Sequence, residues 1–270
     1  MVDIKNILLS PDELKRCDEF SQRSAPNQQD IEFGQHSTQK RRISEIARDN
    51  LIGKIAEVAF SKMMEENYGI TVPLDFNYYP RGKWDSQDAV INGWRIDIKA
   101  TRMGGHWMLI EWNKLNFRQR ENNLSHVYVM FSVGWDRTTD KPTGIVCYEG
   151  AASLSKLNKN QPCTRVLRKG DFLPGTQTTL QADNYGIKFD DLHSEPEEFV
   201  HWLQKHSPPE SMVLKYPNPY TNETTENILL QENPRLEDIR NDFHNEEDQP
   251  VKMGYFTGII SFLKKTFTFK

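Results

Sequence analysis

Two aspartates and a lysine surround the dipeptide Asn92-Gly93 within one short stretch of the chain. Asn-Gly between two runs that contain apolar residues favours a two-residue type I′ turn between antiparallel strands. Counting outward from this turn places Asp88 directly opposite Asp97, with Cβ atoms roughly 4.5–5.5 Å apart. Because side chains alternate along a strand, Lys99 lies on the same face as Asp97. The sequence therefore predicts two carboxylates and one amine on one polar face of a hairpin.

Carboxylates in direct opposition repel each other unless a cation lies between them. Their oxygens are hard ligands of the kind that Mg²⁺ prefers, and Mn²⁺ can take its place. A metal ion held there can activate water and polarise a phosphoryl oxygen. A nearby lysine can orient the attacking water, help to deprotonate it, or stabilise charge on the phosphate. This combination predicts hydrolysis of phosphodiester bonds. The competing interpretation is a solvated hairpin face with a weak Asp97–Lys99 surface ion pair.

A third carboxylate is predicted on a long helix that precedes the hairpin. Apolar residues recur at helical spacing from about residue 43 to residue 66. Glu57 lies in the most apolar part of this pattern, which makes it the candidate that completes a metal shell. Asp75 and Asp85 are rival positions for the first acid of the hairpin, and Asp88 is preferred because it lies on the acidic face.

The remaining segments predict a mixed α/β protein. Strands are expected within about 71–112 and at 126–133, 144–148 and 185–189, and helices from Pro11 behind an N-cap Ser10, near 151–157 and at 196–205. The predicted organisation is an N-terminal helix and polar loop at 1–42, a core domain at 43–206, and an irregular acidic arm with an amphipathic C-terminal segment at 207–270.

The net charge of −4 is unevenly distributed along the chain. Residues 190–250 carry fifteen acidic and four basic side chains, so this stretch is a candidate surface for a basic protein partner, with plain solvation as the alternative. The aromatic and basic C-terminal segment is a candidate interface with a partner or a second subunit. No apolar run approaches the length of a membrane span. No secretory signal is expected from the N-terminal residues, and the three cysteines form no disulfide or metal pattern. A cytoplasmic location is expected.

The run Asp88-Ala-Val-Ile-Asn-Gly-Trp-Arg-Ile-Asp97-Ile-Lys99-Ala-Thr101 resembles the core motif of the PD-(D/E)xK, or restriction-endonuclease-like, superfamily. The helix around Glu57 is similar to the first core helix of that superfamily, and the likeness covers about residues 43–135. One departure is that Gln87, not proline, precedes Asp88.

The resemblance implies an α/β fold with a restriction-endonuclease-like core, in which helices flank a mixed central sheet, and Mg²⁺ as the cofactor. It implies that Asp88 and Asp97 are metal ligands, with the backbone carbonyl of Ile98 as a further one. Glu57 would help to position the metal or the water, and Lys99 would serve the nucleophile.

Basic residues that follow the hairpin are candidates for contacts to nucleic-acid phosphates: Arg102, His106, Lys114, Arg118 and Arg120. A solvated basic face is the alternative for the arginines and the lysine, and a structural role for the histidine. The function expected is an endonuclease of double-stranded DNA in restriction or another anti-invader defence, working as a homodimer. A nuclease for RNA or single strands, and a non-cleaving nucleic-acid-binding or assembly subunit, are the alternatives.

Overall fold

The computed structural model of the chain describes residues 4–28, 41–79, 88–111, 125–157 and 161–208. In these ranges the strands are β1 (Asn6–Leu8), β2 (Ala89–Ile91), β3 (Trp94–Arg102), β4 (Trp107–Glu111), β5 (Val127–Asp136), β6 (Lys141–Ser153), β7 (Thr164–Leu167) and β8 (Asn184–Lys188). The α-helices are α1 (Pro11–Ser24), α2 (Ile43–Tyr68) and α3 (Pro196–Lys205). The predicted mixed α/β class is confirmed.

The central sheet has five strands in the order β1-β6-β5-β3-β2. Strands β3 and β5 are parallel, whereas every other neighbouring pair in this sheet is antiparallel. The predicted mixed sheet is therefore present. A parallel pair needs a crossover connection, and the stretch between β3 and β5 contains β4, which belongs to a second sheet of order β4-β8-β7.

The two faces of the central sheet are covered by different layers. Ala100 pairs with Phe131 across β3 and β5, and Phe131 meets Phe60 of α2 edge-on at 6.3 Å between ring centroids. Asp97 and Lys99 point to the opposite face, because they alternate with the residues that face α2. On their side they pair with Tyr128 and Met130, which belong to a buried apolar cluster shared with the second sheet. The members of that cluster from the second sheet are Met108, Ile110, Tyr185 and Ile187.

Helix α3 holds the turn between β2 and β3 in place. The ring of Trp94 packs on Trp202 with centroids 4.3 Å apart, and its Nε1 donates a hydrogen bond to the carbonyl of His206 at 2.8 Å. The Nδ2 of Asn92 donates to the carbonyl of Leu203 at 3.1 Å. These contacts fix the hairpin from a distant part of the chain, so its register depends on tertiary packing as well as on turn chemistry.

Three sequence expectations about secondary structure are wrong. Residues 71–79 form no strand, although the expected strand region began there. A helix near 151–157 is reduced to one 3₁₀ turn at Leu154–Lys156, because residues 151–153 continue strand β6 beside β5. The N-terminal segment was expected to contain only a helix and a loop, yet Asn6–Leu8 pairs with β6 at the sheet edge. Among the described residues no helix is both long and apolar enough to cross a membrane.

Candidate active site

The hairpin forms with the register that the Asn-Gly turn predicts. Asn92 and Gly93 have φ values of 48° and 82°, as a type I′ turn requires, and the pairs run back from the turn to Ala89 opposite Ile96. One residue further, Asp88 lies next to Asp97 in the pairing. The carboxylate of Asp88 accepts a hydrogen bond from the backbone N–H of Ile98 at 2.6 Å, which anchors it against β3.

The pKa of the Asp88 carboxyl group is strongly raised. Burial raises its pKa, and the negative charges of Asp97 and Glu57 raise it further, to about 8. The positive charge of Lys99 and the N–H of Ile98 lower the pKa but do not offset these effects. Asp97 on β3 and Glu57 on helix α2 therefore both act on the poorly hydrated carboxyl group of Asp88, just before β2.

Lys99 forms an ion pair with Asp97, and both side chains are about three-quarters buried. Burial opposes the charge of the lysine, but the carboxylates of Asp97 and Asp88 outweigh it, so the pKa of Lys99 is raised. The negative charge of Glu111, at the end of β4, acts in the same direction. Glu111 carries no local sequence signal for this role, because only the packing of the second sheet brings it near β3.

Glu57 is held by a lysine on its own helix. The ammonium of Lys54 pairs with the Glu57 carboxylate, and only 7% of the Lys54 side chain is exposed to solvent. The same ammonium donates to the backbone carbonyl of Asp75 at 2.8 Å and lies 4.4 Å from the ring centroid of Phe20. Lys54 is not among the residues predicted for the site, although a lysine inside the most apolar stretch of a helix signals a buried partner.

We name Asp88, Asp97 and Glu57 the carboxylate cluster. The carboxyl group of Asp75 does not belong to it. Its carboxylate accepts hydrogen bonds from the backbone N–H of Asn77, at 2.7 Å, and from the hydroxyl of Tyr79. Burial would raise its pKa, but these hydrogen bonds outweigh it and the pKa is lowered. Asp75 therefore caps a local turn. The other rival, Asp85, lies outside the described residues.

The side chains fit a hard divalent cation by their chemistry and charge. Asp88, Asp97 and Glu57 supply carboxylate oxygens, and their mutual repulsion is what a cation would relieve. Within the described ranges, however, no three histidine, cysteine or acidic side chains converge as a set of metal ligands. Asp97 and Glu57 instead contact Lys99 and Lys54, so a metal ion would have to replace these lysine contacts.

Of the predicted phosphate-binding residues, Arg102 and His106 lie within the described ranges. Arg102 lies 3.7 Å from Asp140 and 4.3 Å from the ring centroid of Trp135. Burial, followed by the nearby positive charge of Arg48, lowers the pKa of Arg102, so two guanidinium groups approach each other there. His106 is exposed, as a phosphate contact requires. The remaining candidates, Lys114, Arg118 and Arg120, lie outside the described residues.

No protein-family model, no curated protein and no solved structure matches this chain. Of the predicted site residues, Glu57, Asp88, Asp97 and Lys99 are joined by direct contacts or by their charges.

Proposed function

We propose that this protein is a metal-dependent nuclease that hydrolyses the phosphodiester bonds of DNA, with a core of the restriction-endonuclease-like type. The observation that carries the proposal is the buried carboxyl group of Asp88, anchored on the N–H of Ile98 and acted on by the negative charges of Asp97 and Glu57, with Lys99 paired to Asp97. A purely structural hairpin gains nothing from buried carboxyl groups that repel one another, because each costs free energy to desolvate.

The roles of the residues follow from their chemistry. Asp88, Asp97 and Glu57 would hold the cation, together with the carbonyl of Ile98 that the resemblance implies. A Mg²⁺ or Mn²⁺ ion supplies Lewis acidity and lowers the pKa of a bound water. Lys99 stays protonated, since the carboxylates raise its pKa. It therefore donates hydrogen bonds and stabilises negative charge on the phosphate rather than removing a proton.

Double-stranded DNA cut by a homodimer is the form of this activity that the superfamily resemblance favours. An RNA substrate requires the same metal chemistry, so substrate choice is left to experiment. A non-cleaving subunit is disfavoured, because such a protein has no reason to retain Asp88, Asp97 and Lys99 together. The cytoplasmic location, the role in defence and a protein partner for the 190–250 stretch remain predictions.

The test is a cleavage assay with matched variants. Purified protein is incubated with supercoiled plasmid, linear duplex, single-stranded DNA and RNA, each with Mg²⁺, Mn²⁺ or a chelator. We expect metal-dependent cutting of DNA that both Asp97→Asn and Lys99→Met reduce at least about a hundredfold. Asp190→Asn is the control, because Asp190 is exposed and has no contact with the carboxylate cluster among the described contacts.

Two outcomes contradict the proposal. The first is cutting that survives in Asp97→Asn as fully as in Asp190→Asn, which would indicate a contaminating nuclease or another site. The second is binding of DNA without cleavage under any metal, which would favour the non-cleaving subunit. Cleavage restricted to RNA would keep the chemistry and overturn the substrate.

A further inference from the structure

A group of aromatic rings, of which Tyr78 is exposed and Phe20 and Phe76 are half-buried, lies between helix α1 and the segment that follows α2. Tyr78 and Tyr79 are 44% and 38% exposed, which is high for side chains of this size. Tyr78 stacks on Phe20 with ring centroids 5.7 Å apart and planes inclined by 21°, and Phe76 meets Phe20 edge-on at 5.8 Å. We name Phe20, Phe76 and Tyr78 the aromatic platform.

Each ring of the aromatic platform has a cation beside it. The guanidinium of Arg16 lies 3.8 Å from the ring centroid of Phe76, and that of Arg23 lies 5.8 Å from the centroid of Tyr78. Arg16, Phe20 and Arg23 follow one another at helical spacing, so they share one face of α1. Both arginines are exposed. Their positive charges therefore complement a polyanion that approaches the rings from solvent.

The aromatic platform is joined to the carboxylate cluster through Lys54. The ammonium of Lys54 lies 4.4 Å from the ring centroid of Phe20 and pairs with the carboxylate of Glu57. It also donates to the carbonyl of Asp75, three residues before Tyr78. One buried side chain thus connects the rings to the helix that carries the third carboxylate. A strand whose phosphate reaches Glu57 and Asp88 would have a neighbouring nucleotide near the rings.

Aromatic faces with adjacent arginines bind nucleobases by stacking, and they tolerate any base because every base has a π face. In an uninterrupted duplex the faces of each base are covered by the neighbouring base pairs. We propose that the aromatic platform, with Arg23, stacks an unpaired base of the DNA substrate beside the carboxylate cluster. This inference rests on the proposed nuclease function. It changes the expected substrate from a continuous duplex to DNA with a single-stranded stretch at the site.

The experiment measures binding separately from cleavage. The full chain is titrated into a labelled single-stranded DNA of about 15 nucleotides and mixed sequence, in chelator so that no metal is present. Binding is followed by the fluorescence anisotropy of the label. We expect Tyr78→Ala to weaken binding about tenfold and Tyr78→Phe to leave it unchanged, because stacking needs the ring and not the hydroxyl. Phe172→Ala is the matched control, since Phe172 is also an exposed ring, at 66%, and lies outside the platform.

The duplex of the same sequence and the corresponding RNA strand are the two further arms. We expect the duplex to bind more weakly than the single strand and to show no loss in Tyr78→Ala. The inference is overturned if Tyr78→Ala binds the single strand as Phe172→Ala does, or if the duplex depends on Tyr78 equally. Tighter Tyr78-dependent binding of the RNA would overturn the choice of DNA.

These outcomes are distinguishable from failure of the proposed nuclease. Tyr78-dependent binding of single strands without cleavage under any metal would leave the aromatic platform in place and remove the nuclease. If Asp97→Asn abolishes cleavage and Tyr78→Ala leaves binding unchanged, the nuclease is supported and the role of the aromatic platform is refuted. A gapped duplex cut faster than an intact one, with the difference lost in Tyr78→Ala, would support both.

Discussion

Replacing Asp88 with asparagine should stabilise the metal-free protein at alkaline pH. The pKa of Asp88 is raised from 3.8 to about 8 by burial and by its acidic neighbours. In the unfolded chain the carboxyl group loses its proton near pH 4, whereas in the folded chain it keeps the proton until about pH 8. The unfolded state thus binds fewer protons in this interval, so the free energy of unfolding falls as the pH rises. Asp88→Asn removes this dependence.

The loss of unfolding free energy that Asp88 causes is best measured between pH 6.5 and 8. His126 also changes the pH dependence, because burial and the charge of Arg95 lower its pKa from 6.5 to about 4, but most of its contribution is present by about pH 6.5 and the rest cancels in the comparison with Asp88→Asn. Above that pH, 1.36 kcal/mol for each pH unit gives a loss of about 2 kcal/mol from Asp88. Asp88 as a whole residue is only half-buried, which reduces the expected loss to about 1–2 kcal/mol.

The assay is urea unfolding at pH 6.5, 7.2 and 8.0, with one series in chelator and a second series in about 10 mM Mg²⁺. In chelator we expect the wild type to lose about 1–2 kcal/mol relative to Asp88→Asn across this range. In Mg²⁺ the wild type should regain stability at pH 8, because a cation binds the ionised carboxylates of the native state only. Asp190→Asn is the control for loss of one exposed charge and should follow the wild type.

Parallel curves for wild type and Asp88→Asn in chelator would refute the buried-carboxyl argument. A pH effect that Mg²⁺ leaves unchanged would support the electrostatics of the carboxylate cluster but count against metal binding.

Two further predictions concern the elements that position the site, each measured by urea unfolding. Ser10→Ala should lower the free energy of unfolding by about 1 kcal/mol, because it removes the hydroxyl that accepts a hydrogen bond from the N–H of Glu13 in a capping box; no change would show that the cap is dispensable. Gly150→Ala should cost at least about 3 kcal/mol, since its φ is +140° and a Cβ there would lie 2.6 Å from the Cβ of Leu192. Gly170→Ala, with φ +89° and open space around it, controls for backbone strain alone and should cost about 1 kcal/mol; equal losses would contradict the steric argument.

The local part of the candidate site followed from the sequence because short-range rules govern it. The Asn92-Gly93 turn fixes which residues pair across β2 and β3, and this register brought Asp88 next to Asp97. Helical spacing of apolar residues likewise predicted α2 and, on it, Glu57.

Tertiary structure alone decided the contacts that join distant parts of the chain. The parallel pairing of β3 with β5 and the edge strand Asn6–Leu8 carry no local signal, since any buried strand can pair with several others. The approach of Glu111 to Lys99 depends on the second sheet, and the contact of Lys54 with Phe20 on how α1 packs on α2. Sequence patterns fix side-chain direction along one element, but the distance between two elements is set by the packing of the whole core.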